Sequence, residues 1–195
     1  MSKTNYNTKL ATPWGQADLD IVVCRGVHIV CTPSHGGIMI SKGFAEKRLT
    51  TYAIHYGISY GGYYCFEEDC DWAIPAHELI ELRTYYVDNT VGGGTYKIVD
   101  DMILQTLSRW RADFLIAKGY TPLENEYMSY KQDQKYDEMR AAKHPDLIIS
   151  ASSTNTPNVV EVITADEKIH FVTQTSYHKH YETKSLNLLS YCERI

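Results

Sequence analysis

The sequence lacks the features by which secreted and membrane-spanning proteins are recognised. None of its five cysteines stands in CxxC spacing, and the N-terminal stretch MSKTNYNTKLATPWG contains no apolar core of a secretory signal. No apolar run approaches the roughly 20 residues of a membrane-spanning helix. We therefore expect a cytoplasmic protein with reduced thiols and no membrane contact.

Positive charge is also scarce. The chain has 19 Lys and Arg against 24 Asp and Glu, a formal net charge of −5, and its cations are scattered. Binding to nucleic acid depends on clustered Lys and Arg that neutralise phosphates, so the composition predicts no direct nucleic-acid binding. A hydrophobic content of 44% and a charged content of 22% are ordinary for a globular protein with a real core.

Hydrophobic patterns predict strands near both ends of the chain and helices between them. Residues 19–41 are rich in Val and Ile and are interrupted by the PSHGG loop, which is typical of a hairpin. Residues 99–114 repeat apolar side chains at helical spacing, with Trp110 predicted to face the core. A polar second helix is predicted over 122–142, and strict alternation predicts a hairpin over 158–175.

This order of elements indicates the α+β class, with an antiparallel sheet, a helical insertion and a C-terminal β-hairpin. We expect a single domain over residues 1–195. Its sheet-rich part is predicted at 1–90, the helical insertion at 91–145, and a C-terminal hairpin that completes the sheet at 146–195.

The stretch YCFEEDCDWAIP concentrates acidic side chains around a cysteine, and the earlier SHGG loop supplies a histidine beside two glycines. Imidazole, carboxylate and thiol groups are those that carry acid–base, nucleophilic and metal chemistry. The candidate catalytic residues are His35, Glu67, Glu68, Asp69, Cys70 and Asp71.

Three interpretations of this cluster remain open. A nucleophilic Cys70 is disfavoured, because the surrounding carboxylates raise the pKa of its thiol. Metal binding by the carboxylates and His35 is chemically possible, but the spacing matches no EF-hand loop, and we assign neither a metal nor a cofactor. In the third interpretation the cluster is a structural brace. Its carboxylates either accept hydrogen bonds from the SHGG backbone or lie in water, and Asp71 caps the following helix.

The polar helix over 122–142 carries tyrosines among carboxylates. Aromatic side chains supply much of the affinity in protein interfaces, and an acidic surface complements a basic partner. An ordinary solvated helix is the alternative. The candidate partner-binding residues are Tyr127, Tyr130, Asp133, Tyr136 and Asp137.

Three blocks of the sequence also resemble a known family. TPWGQAD, TPSHGGIMIS and YCFEEDCDWAIP are similar, in this order, to the PWG…SHGG…EEDCDWA signature of an uncharacterised family of small domains from bacteriophages, plasmids and other mobile elements. The resemblance implies a genomic setting and no activity. The helical insertion looks particular to this chain. The matching positions are Trp14, Gly15, Ser34, His35, Gly36, Gly37, Glu67, Glu68, Asp69, Cys70, Asp71 and Trp72.

Two hypotheses follow. In the first, the chain is a phage or mobile-element accessory protein in the host cytoplasm, monomeric or homodimeric. It would inhibit a host protein complex through the acidic, tyrosine-rich helix, as a counter-defence (anti-CRISPR-like) protein does. This expectation is an analogy with small proteins from the same genomic setting.

In the second hypothesis, the chain is a small metal- or carboxylate-dependent hydrolase that uses His35 and the acidic residues 67–71. The hydrolase requires those side chains to converge in a cleft.

Overall fold

Eight α-helices and eleven β-strands occupy the described residues, which are 3–6, 10–154, 156–183 and 188–195 of this computed structural model. The strands pair antiparallel throughout its sheets, and the α+β class is confirmed. None of the described helices has both the length and the apolar character needed to cross a membrane.

The chain divides into two compact units, Met1–Tyr130 and Lys131–Ile195. The first contains a six-stranded sheet in the order β1-β4-β5-β6-β8-β7 and a small hairpin of β2 and β3. The eight strands are β1 (Lys3–Tyr6), β2 (Ala11–Thr12), β3 (Gly15–Gln16), β4 (Leu19–Cys24), β5 (Val27–Cys31), β6 (Gly36–Ser41), β7 (Ile58–Tyr60) and β8 (Tyr63–Glu67).

Strand β6 lies in the interior of this sheet, between β5 and β8. Its first five residues, GGIMI, are all buried, because both faces of the strand are covered. The hairpin predicted around PSHGG is confirmed, with one difference. The two glycines belong to β6 itself, where Gly37 pairs with Val30 on one side and with Glu67 on the other.

Six helices complete the first unit together with the start of a seventh. They are α1 (Lys42–Arg48), α2 (Thr51–His55), α3 (Ala73–Glu78), α4 (Ile80–Asn89), α5 (Tyr96–Trp110) and α6 (Ala112–Ala117). The predicted helical face is present in α5, where the Thr95 hydroxyl accepts from the Ile98 N–H and Val99, Ile103 and Leu107 are buried.

The helix predicted to continue to residue 114 breaks at Arg111. This residue has φ −140° and ψ 47°, outside the helical region, and a new helix begins at Ala112. Trp110, predicted to face the core, is 41% exposed and lies against the Arg109 guanidinium.

The helices α5 and α6 of the predicted insertion are part of the first unit's core. Ile103, Leu107 and Phe114 belong to the same buried cluster as Ile38 and Phe66 of the sheet. Burial of shared apolar surface joins these segments into one folding unit, so the units do not divide at the predicted residues 90 and 145.

The second unit contains its own three-stranded sheet of β9 (Ile148–Ser153), β10 (Val159–Thr164) and β11 (Ile169–Thr173), in the order β11-β10-β9. The hairpin predicted over 158–175 is present as β10 and β11. A third strand, β9, precedes them and covers a Ser-rich stretch for which sequence analysis predicted no strand. The hairpin therefore builds a separate sheet around Val162, Val172 and Leu189 and does not complete the first one.

The elements of this part of the chain begin with the polar helix, which starts in the first unit. They are α7 (Glu124–Lys143), β9 (Ile148–Ser153), β10 (Val159–Thr164), β11 (Ile169–Thr173), α8 (Gln174–Thr183) and a 3₁₀ turn (Leu189–Tyr191). The final residues run beside β11. The Thr173 N–H donates to the Glu193 carbonyl (3.0 Å), and the Ile195 N–H donates to the Phe171 carbonyl (3.1 Å).

Candidate functional site

The SHGG loop and the acidic stretch are neighbours because β6 and β8 pair directly. Gly37 lies opposite Glu67, and the Glu68 N–H donates to the Gly36 carbonyl at 3.2 Å. This backbone ladder brings together two segments that are about 30 residues apart in sequence.

The two glycines permit this close approach. A Cβ on Gly36 would lie 2.4 Å from the Glu68 carboxylate and 2.6 Å from the Val30 carbonyl oxygen. A Cβ on Gly37 would lie 2.2 Å from the Phe66 carbonyl oxygen and 2.4 Å from the Trp14 ring. No other residue type fits these positions without displacing backbone.

The turn that presents His35 is fixed by Thr32. The Thr32 N–H and hydroxyl both donate to the His35 carbonyl at 2.7 Å, and the His35 N–H donates to the Thr32 hydroxyl at 3.1 Å. These bonds hold the backbone of the turn at both residues and leave the imidazole free to turn towards β8.

Three of the six predicted site residues converge. One ligand atom each from His35, Glu67 and Glu68 lie within 4.8 Å of one another. His35 and Glu68 are exposed, Glu67 is half-buried, and nowhere else do the described residues gather three such metal-ligating side chains. The spacing suits a divalent cation with one imidazole and two carboxylate ligands.

Glu67 is held in place by its own segment. Its Oε2 accepts hydrogen bonds from the Asp69 N–H (2.7 Å), the Cys70 N–H (3.1 Å) and the Cys70 thiol (3.3 Å). The Glu67 carboxylate therefore accepts from its own segment and not from the SHGG backbone, while Glu68 and Asp69 are exposed, as the second form of the predicted brace allows. The two segments are joined by the β6–β8 ladder, and the Glu67 carboxylate orders the turn that follows β8.

Asp71 has a different role from the one predicted. The helix after it begins without a side-chain cap, and the Asp71 carboxylate, on a residue that is 8% exposed, accepts a hydrogen bond of 2.6 Å from Arg111 Nε. Burial raises the pKa of the Asp71 carboxyl in spite of this partner. Burial alone would lower the pKa of the Arg111 guanidinium, but the hydrogen bond and the charge of Asp71 raise it by more, so the net shift is upward.

Arg111 is the important residue that sequence analysis missed. It also donates to the Trp110 carbonyl and lies 3.7 Å from the Cys70 sulfur. The sequence feature that could have drawn attention to Arg111 is the RWR stretch at residues 109–111, but no local pattern connects this arginine with Asp71.

Cys70 is not an activated thiol. Burial, followed by the charge of Asp71, raises the pKa of this thiol to about 12, which leaves it protonated at neutral pH. The predicted upward shift is present, and the argument against a cysteine nucleophile is supported. Asp69, Cys70 and Asp71 therefore lie beside the three converging side chains without belonging to them.

A cavity of about 300 Å³ opens next to Glu68. Its wall is mainly apolar and aromatic, and the Glu68 carboxylate is its one acidic group among the described lining residues. Concave, mostly apolar spaces with a few polar groups are the usual form of small-molecule sites. Residues that line it include Ile29, Cys31, Glu68, Trp72, Tyr86 and Met102.

The predicted partner-binding residues lie along α7, which has no buried residue. Tyr127 and Tyr130 are half-buried in the first unit, and their rings stack at 6.2 Å. In the second unit Asp133 is half-buried, Asp137 is exposed, and Tyr136 is 56% exposed.

Residues 7–144 match the model of a family described as Domain of unknown function (DUF7007), and the chain belongs to this family. The matched range includes the segment 91–144, so the helices that looked particular to this chain are within the family domain. No curated protein and no solved structure matches the chain.

Proposed function

We propose that the chain is a divalent-cation-dependent hydrolase whose metal is held by His35, Glu67 and Glu68. The observation that supports this function best is the convergence of these three side chains within 4.8 Å, one of which, Glu68, also lines a cavity. Convergence in a cleft was the condition that the hydrolase hypothesis had to meet.

The donor set suggests which cations to test. Imidazole and carboxylate ligands together suit Zn²⁺ and Mn²⁺. Three protein ligands would leave coordination positions open to water, and a bound divalent cation would lower the pKa of such a water towards 7. The resulting hydroxide is the nucleophile that hydrolysis requires.

The cavity beside Glu68 indicates the kind of substrate. Its volume of about 300 Å³ is at the lower end for small-molecule sites, and its apolar and aromatic wall favours a substrate with a hydrocarbon or aromatic group. Because Glu68 lines this cavity and also belongs to the ligand set, a bound substrate would place its scissile bond near the cation.

Metal binding is tested first, with Zn²⁺ and Mn²⁺ titrated calorimetrically into chelator-treated protein. We expect one ion per chain, and we expect Glu68→Gln and His35→Ala to weaken binding at least about tenfold, since changes beyond the first ligands already cost about 10–100-fold. Asp69→Asn is the matched control, because its exposed carboxylate lies outside the ligand set. Equal binding by Glu68→Gln and Asp69→Asn would contradict the site.

Hydrolysis is then tested with chromogenic aryl carboxylic and phosphoric esters, with and without the added ion. The expected result is turnover that depends on the metal and is lost in Glu68→Gln at unchanged thermal stability. Tight metal binding without turnover on any ester would leave a binding site and refute the hydrolase.

A second candidate function is favoured by the exposure of α7. Tyr136 is 56% and Met139 60% exposed, beside the exposed Asp137. We propose that this part of the helix docks on a basic surface of a host protein complex, as a phage or mobile-element inhibitor of host defence would. Large exposed aromatic and Met side chains among charges are typical of interface anchors.

The test is affinity capture with the wild-type chain from a lysate of host cells, and we expect one host protein complex to be recovered in stoichiometric amount. We expect Tyr136→Ala or Asp137→Lys to weaken the purified complex by about 1–2 kcal/mol or more, at unchanged thermal stability. Lys143→Ala, at the far end of the same helix, is the control. Unchanged affinity in both variants would exclude this surface.

A further inference from the structure

An open groove of about 670 Å³ takes its residues from the turn between β4 and β5 and from α1 with the residue before it. None of these residues belongs to the proposed metal site or to the cavity beside Glu68. The residues that matter below are Arg25, Gly26, Ser41, Phe44, Lys47 and Arg48.

The charged side chains of this groove are all positive. Arg25, Lys47 and Arg48 line it, and no acidic residue is among its described lining residues. Arg25 is distant in sequence from the other two, and the fold brings the β4–β5 turn to the helix that carries them. The whole chain has a net charge of −5, so this local excess of cations does not follow from composition. A cleft lined by one sign of charge concentrates ligands of the opposite sign.

Two of the three cations are uncompensated. The Arg25 and Lys47 side chains are exposed, and neither forms a hydrogen bond or an ion pair with the described residues. Arg48 differs, because its Nη2 donates to the Glu81 carboxylate at 2.8 Å and its guanidinium lies 5.2 Å from the centre of the Phe44 ring. The groove therefore offers two positive charges to a ligand.

The backbone that carries these cations is fixed in place. The Ser41 N–H donates to the Gly26 carbonyl at 2.8 Å, which ties the turn to the residue before α1. Gly26 has φ 87°, and a Cβ there would lie 2.5 Å from the Ser41 hydroxyl oxygen, so only glycine permits this approach. The turn and the helix thus need no rearrangement before a ligand binds, which lowers the entropy cost of binding.

Ser41 and Phe44 add a hydroxyl group and an aromatic ring to the groove. The Ser41 hydroxyl does not cap α1, and it makes no hydrogen bond with the described residues. It can therefore donate to a ligand oxygen. The Phe44 ring, on a half-buried residue, supplies an apolar surface beside the cations.

We propose that this groove binds a small phosphate monoester with an aromatic or other apolar body. A phosphate monoester carries a charge of about −1.5 to −2 at pH 7, which matches the two uncompensated cations better than a carboxylate does. Arg25, Lys47 and the Ser41 hydroxyl donate to the phosphate oxygens, and the body of the ligand lies on Phe44. The volume is within the range of small-molecule sites. The proposal does not depend on the proposed hydrolase.

The experiment uses phenylphosphonate, which contains no ester bond, and chelator-treated full chain in low-salt buffer. The pH is mildly alkaline, so that the phosphonate carries two charges. Binding is followed in NMR spectra through the backbone amides of Gly26 and Gly43, which both line the groove. We expect saturable shifts, and we expect the monoanion benzoate to bind at least about fivefold more weakly, because Coulomb attraction scales with ligand charge. No shift at either glycine, or equal affinity for benzoate, would overturn the proposal.

Charge variants locate the phosphonate group. Arg25→Gln and Lys47→Gln should each lose at least about fivefold in affinity at unchanged thermal stability, because each removes a charged donor from an exposed site. Lys42→Gln is the matched control, since Lys42 is on the same helix but lies over the Tyr64 ring, outside the groove. Full affinity in both groove variants, or an equal loss in the control, would refute these contacts.

Two further variants test the apolar contact and the independence of the site. Phe44→Leu should weaken phenylphosphonate binding and leave the binding of inorganic phosphate unchanged, because only the first ligand has a ring. The same change in affinity for both ligands would refute the role of Phe44. Glu68→Gln should bind phenylphosphonate as the wild type does, and a loss there would assign the probe to the metal site and overturn the proposal.

Discussion

Replacing Gly37 with alanine is expected to destabilise the first unit by about 3 kcal/mol or more. The new Cβ would lie 2.2 Å from the Phe66 carbonyl oxygen, which is backbone and cannot rotate away, and 2.4 Å from the Trp14 ring. The β6–β8 ladder must therefore shift at the position where it joins the SHGG loop to the acidic stretch. Urea denaturation followed by circular dichroism measures the loss.

Gly43→Ala is the matched control for this prediction. Gly43 lies inside α1, and a Cβ there would have nothing within 4 Å. Alanine in a helix interior should stabilise by about 0.5–1 kcal/mol, because glycine loses more backbone entropy on folding. If Gly37→Ala proved as stable as Gly43→Ala, the close approach of β6 and β8 described above would be wrong.

Replacing Arg111 with methionine is expected to cost about 3 kcal/mol at neutral pH. The change leaves the Asp71 carboxylate buried without its 2.6 Å partner, and breaking a buried pair on one side typically costs about 3–5 kcal/mol. We expect the lower end of that range, since the Arg111 side chain is 31% exposed and water can replace part of the interaction.

This loss should depend on pH in a defined direction. Without the guanidinium, burial raises the pKa of Asp71 still further above its unfolded value of 3.8. Between these two pKa values the folded state binds more protons than the unfolded state, so the stability of the variant falls as pH rises. The deficit relative to wild type should therefore shrink when pH is lowered from about 7 to about 4.

Two comparisons isolate the buried pair. Arg48→Met removes an arginine from the more exposed Arg48–Glu81 contact and should cost no more than about 1 kcal/mol, with little dependence on pH. Adding Asp71→Asn to Arg111→Met should recover part of the loss, because the uncompensated charge is gone. A deficit that stayed constant across the pH range would show that the packing of Arg111, and not the charge of Asp71, is what the variant removes.

Local pattern was enough to find most elements of the fold. The alternation in VVEVIT and IHFVT, the glycines after PSH and the helical spacing of Val99, Ile103 and Leu107 each depend on neighbours within one element. The break at Arg111 and the strand Ile148–Ser153 were not predictable in this way. Arg111 pairs with Asp71, 40 residues away, and the last four residues of the strand, SASS, lack the β-branched side chains by which strands are recognised.

The same distinction applies to the candidate site. His35, Glu67 and Glu68 could be proposed from residue type alone, because few other groups can bind a cation. Their convergence, in contrast, follows from the pairing of β6 with β8. The partner of Asp71 lies 40 residues away, and the sequence does not show which of two nearby arginines approaches it. Contacts of that range follow only from the packed structure.

The run of residues 193–195 beside β11 has a consequence for how the protein is handled. β10 pairs with β11 on one side, and in the part of the chain that the structure describes, residues 193–195 cover the other side over residues 171–173. A protease or a shortened clone that removed the last three residues would uncover N–H and C=O groups that can pair with another molecule. Such material should aggregate by intermolecular strand addition while its first unit stays folded, and an affinity tag is better attached elsewhere.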